Sequence, residues 1–126
     1  MKAPEQAVSI DEYIRAQSRS ITADELRGLR KFAPALETKR SGAAAQGHGD
    51  LAQGIAALAE VLGSNAVTGA SDPLPGDLAE AGAALRYVLK GIDIIPDSVP
   101  GLGLADDEWI VARVLQRNPS LRAAAR

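Results

Sequence analysis

Along most of the chain, apolar residues recur every three or four positions and are separated by short runs of Gly, Pro and small polar residues, the pattern of helices joined by turns. Leu51, Ile55, Leu58 and Leu62 lie at spacings of four, three and four, so they share one face of a helix expected to start at Asp50 and stop in a left-handed turn at Gly63. Leu78, Leu85, Val88 and Leu89 predict a helix over 77–90, with Asp77 and Glu80 suited to its positive end and Lys90 to its negative end. Ile110, Val111, Val114 and Leu115 predict a last helix, capped by Asp106 or Asp107 and stopped by Asn118-Pro119. Upstream, Ser9-Ile10-Asp11-Glu12 and Thr22-Ala23-Asp24-Glu25 both have the spacing of a capping box, in which hydroxyl and carboxylate each take up an orphaned amide. They predict one helix over about 10–19 and another carrying Leu26, Leu29, Ala33 and Leu36 to Lys39, with Pro34 imposing a kink or an early stop. Strand alternation and Asn-Gly or Asp-Gly hairpin signals are absent, so the expected fold is all-α, a small bundle of four to five helices with an apolar Pro/Gly/Asp-rich connector between the last two.

Ser41 to Gly49, rich in Gly and Ala, has the composition of a flexible connector, although Ala43 to Ala45 could continue the preceding helix. It divides the expected organisation into an N-terminal helical extension over 1–49, a helical domain over 50–118 and a mobile tail over 119–126. Gly63 to Gly76, with Pro73 and Pro75, is expected to be loop.

Of the 126 residues 24 are Ala, leaving 34 bulkier hydrophobic side chains and an expectation of a thin core, accompanied by partial disorder or by a partner. The absence of Cys removes disulfides, thiolate nucleophiles and Cys-based zinc sites, and a single His48 removes any site built on two imidazoles. His48, between Gly47 and Gly49, reads as a solvated loop residue. Fourteen basic and sixteen acidic residues give a net charge of -2, far from that of a general nucleic-acid binder, so no nucleic-acid partner is expected. The basic residues around Arg27, Arg30, Lys31, Lys39 and Arg40 share their helix with Asp24, Glu25 and Glu37 and read as a solvated face. The first residues lack an apolar signal core, which leaves a cytoplasmic location as the expectation. Val88 to Leu104 is interrupted by Lys90, Asp93, Asp97 and two prolines, so no transmembrane helix is expected.

Residues 92–107 read Ile-Asp-Ile-Ile-Pro-Asp-Ser-Val-Pro-Gly-Leu-Gly-Leu-Ala-Asp-Asp. Preceded by a helix bearing Tyr87, they resemble the signature of the YkvA-like family, also known as domain of unknown function 1232, through Ile92, Asp93, Ile94, Ile95, Pro96, Asp97, Val99, Pro100, Gly101, Gly103, Asp106 and Asp107. Asp72-Pro73-Leu74-Pro75 looks like the element preceding the family's penultimate helix, and the resemblance covers about residues 51–118. Gly91 and Ser98 depart from it, standing where the family usually has Pro and a large apolar residue. The resemblance implies a small helical domain, found alone or attached to other modules, often on membrane-associated proteins and without an established activity.

Asp93, Asp97, Asp106, Asp107 and Glu108 place about five negative charges between Lys90 and Arg113 with no base among them. Asp93, Asp97, Asp106 and Asp107 are candidate ligands for Mg²⁺ or Ca²⁺, hard cations that take several oxygens, and a metal held there would activate water for hydrolysis. Against that, Asp106, Asp107 and Glu108 suit a helix N-terminus, Asp97 suits a turn, and Asp93 needs loop amides, Arg86 or Arg113 as donors. The apolar members, with Ile95 and Val99 at the centre, plug the space between two helices or dock on a partner; an anionic membrane would repel the neighbouring acids, so a protein, a second copy included, fits better than peripheral membrane contact. With no serine-hydrolase or dinucleotide motif and no nucleophile beside a base, the expected function is a noncatalytic interaction or scaffold module, the alternative being a divalent-metal-dependent hydrolase. Tyr87 and Trp109, flanking the segment, read as core anchors.

Overall fold

A computed structural model describes the backbone of residues 4–90 and 105–121 and the side chains of residues 10–89 and 108–121. The described chain is helical throughout: α1 Pro4–Ser18, α2 Ala23–Gly28, a 3₁₀ turn Leu29–Phe32, α3 Ala33–Ala45, α4 Gly49–Leu62, α5 Asn65–Thr68, α6 Gly76–Lys90 and α7 Ala105–Arg117. Five of these are helices of 13 to 15 residues, as the periodicity requires, and no strand occurs among the described residues.

Helix α6 is the axis of the fold. Ala81, Ala83, Ala84, Leu85, Tyr87 and Val88 are all buried, so it is covered on nearly every side, by α1, α7, α4 and α3. Alanine makes this crowding feasible, and it is why the small count of bulky hydrophobics misjudges the core: short side chains let neighbouring backbones approach. The same economy recurs at two glycines. A Cβ on Gly82 would stand 2.9 Å from Ile21 Cγ2, and one on Gly54 would stand 2.5 Å from Val111 Cγ1, so α4 and α7 meet backbone to side chain.

The predicted stripes of α4 and α7 are buried, as are Leu78, Leu85 and Val88 of α6. At Thr22 the hydroxyl accepts from the Glu25 amide at 3.1 Å, the hydroxyl half of the expected capping box, while the Glu25 carboxylate accepts from Arg86. The helix it opens ends at Gly28, passes through the 3₁₀ turn and restarts with Pro34 in the first turn of α3, where the missing N–H costs nothing. This break shifts the phase of the stripe: Leu26, Leu29 and Leu36 are buried but Ala33 is exposed.

Several boundaries differ from the sequence expectation. α1 begins at Pro4, which places the Ser9 capping box inside the helix. α3 continues through Ser41 to Ala45, so the connector shrinks to a turn with Gly47 at φ 85°, and α3 and α4 form a helical hairpin. His48, not Asp50, is the N-cap of α4, and Gly63 ends it in a right-handed conformation, φ -88° and ψ 0°. The 63–76 stretch includes α5. Ile10, Ile14, Leu26 and Leu36 of the N-terminal part share one core cluster with α4, α6 and α7. Beyond Asn118, in the stretch expected to be a mobile tail, Leu121 is fully buried.

Candidate functional site

Helices α6 and α7 bracket the signature, so the geometry that fixes them is the first matter. At one end, Glu80 in α6 receives both Arg117 Nε and Nη2 at 2.9 Å and Asn118 Nδ2 at 2.9 Å. Arg117 lies in the last turn of α7, where a cation is favoured by the helix dipole. Asp11 of α1 accepts from Arg113 Nε and Nη2 at 2.7 and 3.0 Å and lies 3.8 Å from Arg117. Two carboxylates and two guanidinium groups thus tie α1, α6 and α7 together in fork geometry. The hydrogen bonds from Arg117 hold the Glu80 carboxyl below the usual carboxylate range against the opposing effect of burial, and those from Arg113 do the same for Asp11.

Further along α6, Arg86 donates to Glu25 Oε2 at 3.0 Å, Gln17 Oε1 at 2.5 Å and Ser20 Oγ at 2.8 Å, fastening α6 to the turn between α1 and α2. Tyr87 is buried and meets Tyr13 edge to face, with centroids 5.4 Å apart, and desolvation pushes the Tyr13 phenol above its ordinary value. Trp109, at the start of α7, is half-buried against the same core. Both aromatics therefore serve as anchors.

The third tie corrects the sequence reading of His48. Its Nδ1 lies 3.2 Å from Glu108 Oε2, so the α3–α4 turn is fastened to the first turn of α7, and His48 is a half-buried bridge instead of a solvated loop residue. Nothing local could reveal a partner sixty positions away. Beside it, a cleft of about 410 Å³ between α4 and α7 is lined by Asp50, Gln53, Glu108 and Gln116 over Leu51, Val111 and Leu115.

Of the residues singled out in the sequence, Ile92, Asp93, Ile95, Pro96, Asp97, Val99, Pro100, Gly101 and Gly103 lie outside the described residues, as do the side chains of Asp106 and Asp107. Arg86 and Arg113, named as donors for Asp93, hold Glu25 and Asp11. Asp72, read as part of the family's upstream element, accepts from the Ala23 amide at 2.9 Å and so pins the loop before α6 to the start of α2. Among the described residues, no three His, Asp or Glu side chains are grouped to hold a metal ion, and no helix is long and apolar enough to cross a membrane. The Ser18, Ser20 and Ser64 hydroxyls donate to helix carbonyls, and Ser120 donates to Asp77.

Residues 77–112 match the model of a family described as a protein of unknown function, DUF1232. Over this segment the chain is similar to the DUF1232 family. The match starts at the second residue of α6 and ends within α7, narrower than the 51–118 over which the sequence resembles the family. It leaves Arg113, Arg117 and Asp11 outside, so the DUF1232 helices are braced partly by residues beyond the family segment. No curated protein and no solved structure matches the chain.

Proposed function

We propose that this chain is a noncatalytic helical interaction module of the cytoplasm, in which α6 and α7 act as a fixed frame and residues 92–104 make contact with a protein partner or a second copy of the chain. The observation that carries this reading is the use of charge in the frame. Glu80, Asp11, Glu25 and Glu108 each face a cation or imidazole on another element, so these carboxylates act as struts between helices. A general acid or base needs a group free to exchange a proton with substrate, whereas Glu80 and Asp11 are held ionised by their arginines.

The test is a concentration series by light scattering on the full chain, alongside Ile95→Ala and Val99→Ala. Self-association, or capture of one defined partner, that both substitutions weaken supports the proposal. A chain that stays monomeric and partnerless throughout overturns it. Thermal melts with Mg²⁺, Mn²⁺ and Ca²⁺ address the hydrolase alternative through Asp93, Asp97, Asp106 and Asp107. A resident ion at a hundred times its dissociation constant would add about 2.7 kcal/mol by linkage, and loss of that gain in Asp93→Asn would replace the scaffold reading with a metal site.

A further inference from the structure

The corner between α2 and α3 carries an exposed surface of a different kind. Arg30, Lys31, Phe32, Ala33, Pro34 and Ala35 form an unbroken exposed run, and Phe32, 41% accessible, is the exposed large hydrophobic of the described residues. The run is held rigidly: Leu29 before it and Leu36 after it are buried, and Pro34 fixes the first turn of α3. Phe32 is therefore presented by the fold, with Lys31 Nζ 5.2 Å from its ring centroid.

Charge gives this corner its direction. On either side the acids are already matched: Asp24 pairs with Arg27, and Glu37 pairs with Arg40. Arg30 and Lys31 have no carboxylate partner among the described residues, and Lys39 adds a further cation on α3. Glu60 of α4 lines the shallow groove beside Ala33, the one nearby acid without a salt bridge among the described residues. In a chain of net charge -2 the corner is thus locally positive around a single apolar wedge.

From this juxtaposition we infer that the Arg30–Ala35 corner is a docking point for an anionic lipid surface. One aromatic ring among alanines and a proline offers far less than the ~800 Å² per partner of a standard protein interface. A bilayer asks for no matching shape, only an apolar tip that enters the headgroup boundary and cations that meet its anionic phosphates and carboxylates. This inference stands independently of the role given to residues 92–104.

Co-sedimentation of the full chain with vesicles of equimolar phosphatidylcholine and phosphatidylserine, against phosphatidylcholine alone, tests it. The wild type is expected to partition to the anionic vesicles, and to release as salt rises. Each basic side chain near such a surface is worth ~1 kcal/mol, about five-fold, so Arg30→Gln with Lys31→Gln lowers the partition roughly 25-fold. Phe32→Ser lowers it while leaving the salt dependence in place. Because all three side chains are exposed, the variants keep the wild-type melting temperature, and Ile95→Ala binds vesicles as the wild type does. No binding, equal binding to neutral vesicles, or binding that survives the double substitution overturns the inference. Retention on immobilised polyglutamate without vesicle binding would assign the corner to an acidic protein instead, and also overturns it.

Discussion

Gly54→Ala tests the packing on which the α4–α7 frame depends. A Cβ built there stands 2.5 Å from Val111 Cγ1 and 3.4 Å from Leu115 Cδ1, whereas carbon atoms rest at about 3.5 to 4.0 Å. Val111 is β-branched, fully buried and in a helix, where one side-chain rotamer dominates, so it cannot swing aside cheaply. Helix α7 would have to retreat by on the order of 1 Å to restore contact distance. Overpacking of this kind costs about 1 to 3 kcal/mol, and the better helix propensity of Ala returns about 1 kcal/mol. The net expectation is a loss of up to about 2 kcal/mol, at roughly 4 °C in melting temperature per kcal/mol for a chain of this size. Urea unfolding followed by circular dichroism measures it. Gly42→Ala is the control: no atom lies within 4 Å of its Cβ, so the propensity gain of about 0.5 to 1 kcal/mol should appear unopposed. Combining Gly54→Ala with Val111→Ala should recover part of the loss as a coupling energy, because the two positions touch. If Gly54→Ala gains stability as Gly42→Ala does, the close approach of α4 to α7 is wrong.

Glu80→Gln removes the charge that two Arg117 nitrogens share and should cost about 1 to 3 kcal/mol. Both Glu80 and Asp11 have carboxyls held below their ordinary values, so as pH falls the unfolded chain takes up protons first. Their contribution is complete above about pH 5 and fades as acid titrates the folded state, so the gap between wild type and Glu80→Gln should close in the acid arm of a stability–pH profile. A gap constant down to full protonation would refute the strut. Thr22→Ala should lose about 1 kcal/mol by urea denaturation, the worth of an N-cap, and no change would show that the hydroxyl adds nothing to α2. Leu121→Ala should cost about 2 to 5 kcal/mol, since that side chain is fully buried; a loss under 1 kcal/mol by the same assay would mean that the segment after Asn118 does not dock.

What the linear pattern determines here is local. The stripes of α4 and α7, the Thr22 cap and the interruption at Pro34 each arise from residues within about four positions of one another, and they hold because helix periodicity and capping act over that range. The DUF1232 signature is legible for the same reason: its residues are contiguous. The tertiary structure alone decided the pairings. Arg113 meets Asp11 across 102 positions, His48 meets Glu108 across 60 and Arg117 meets Glu80 across 37, and no spacing rule links them. Their partners are set by how closely the helices approach, and that was fixed by the alanines of α6 and the bare Cα atoms of Gly54 and Gly82, small residues whose effect is exerted on whatever packs against them.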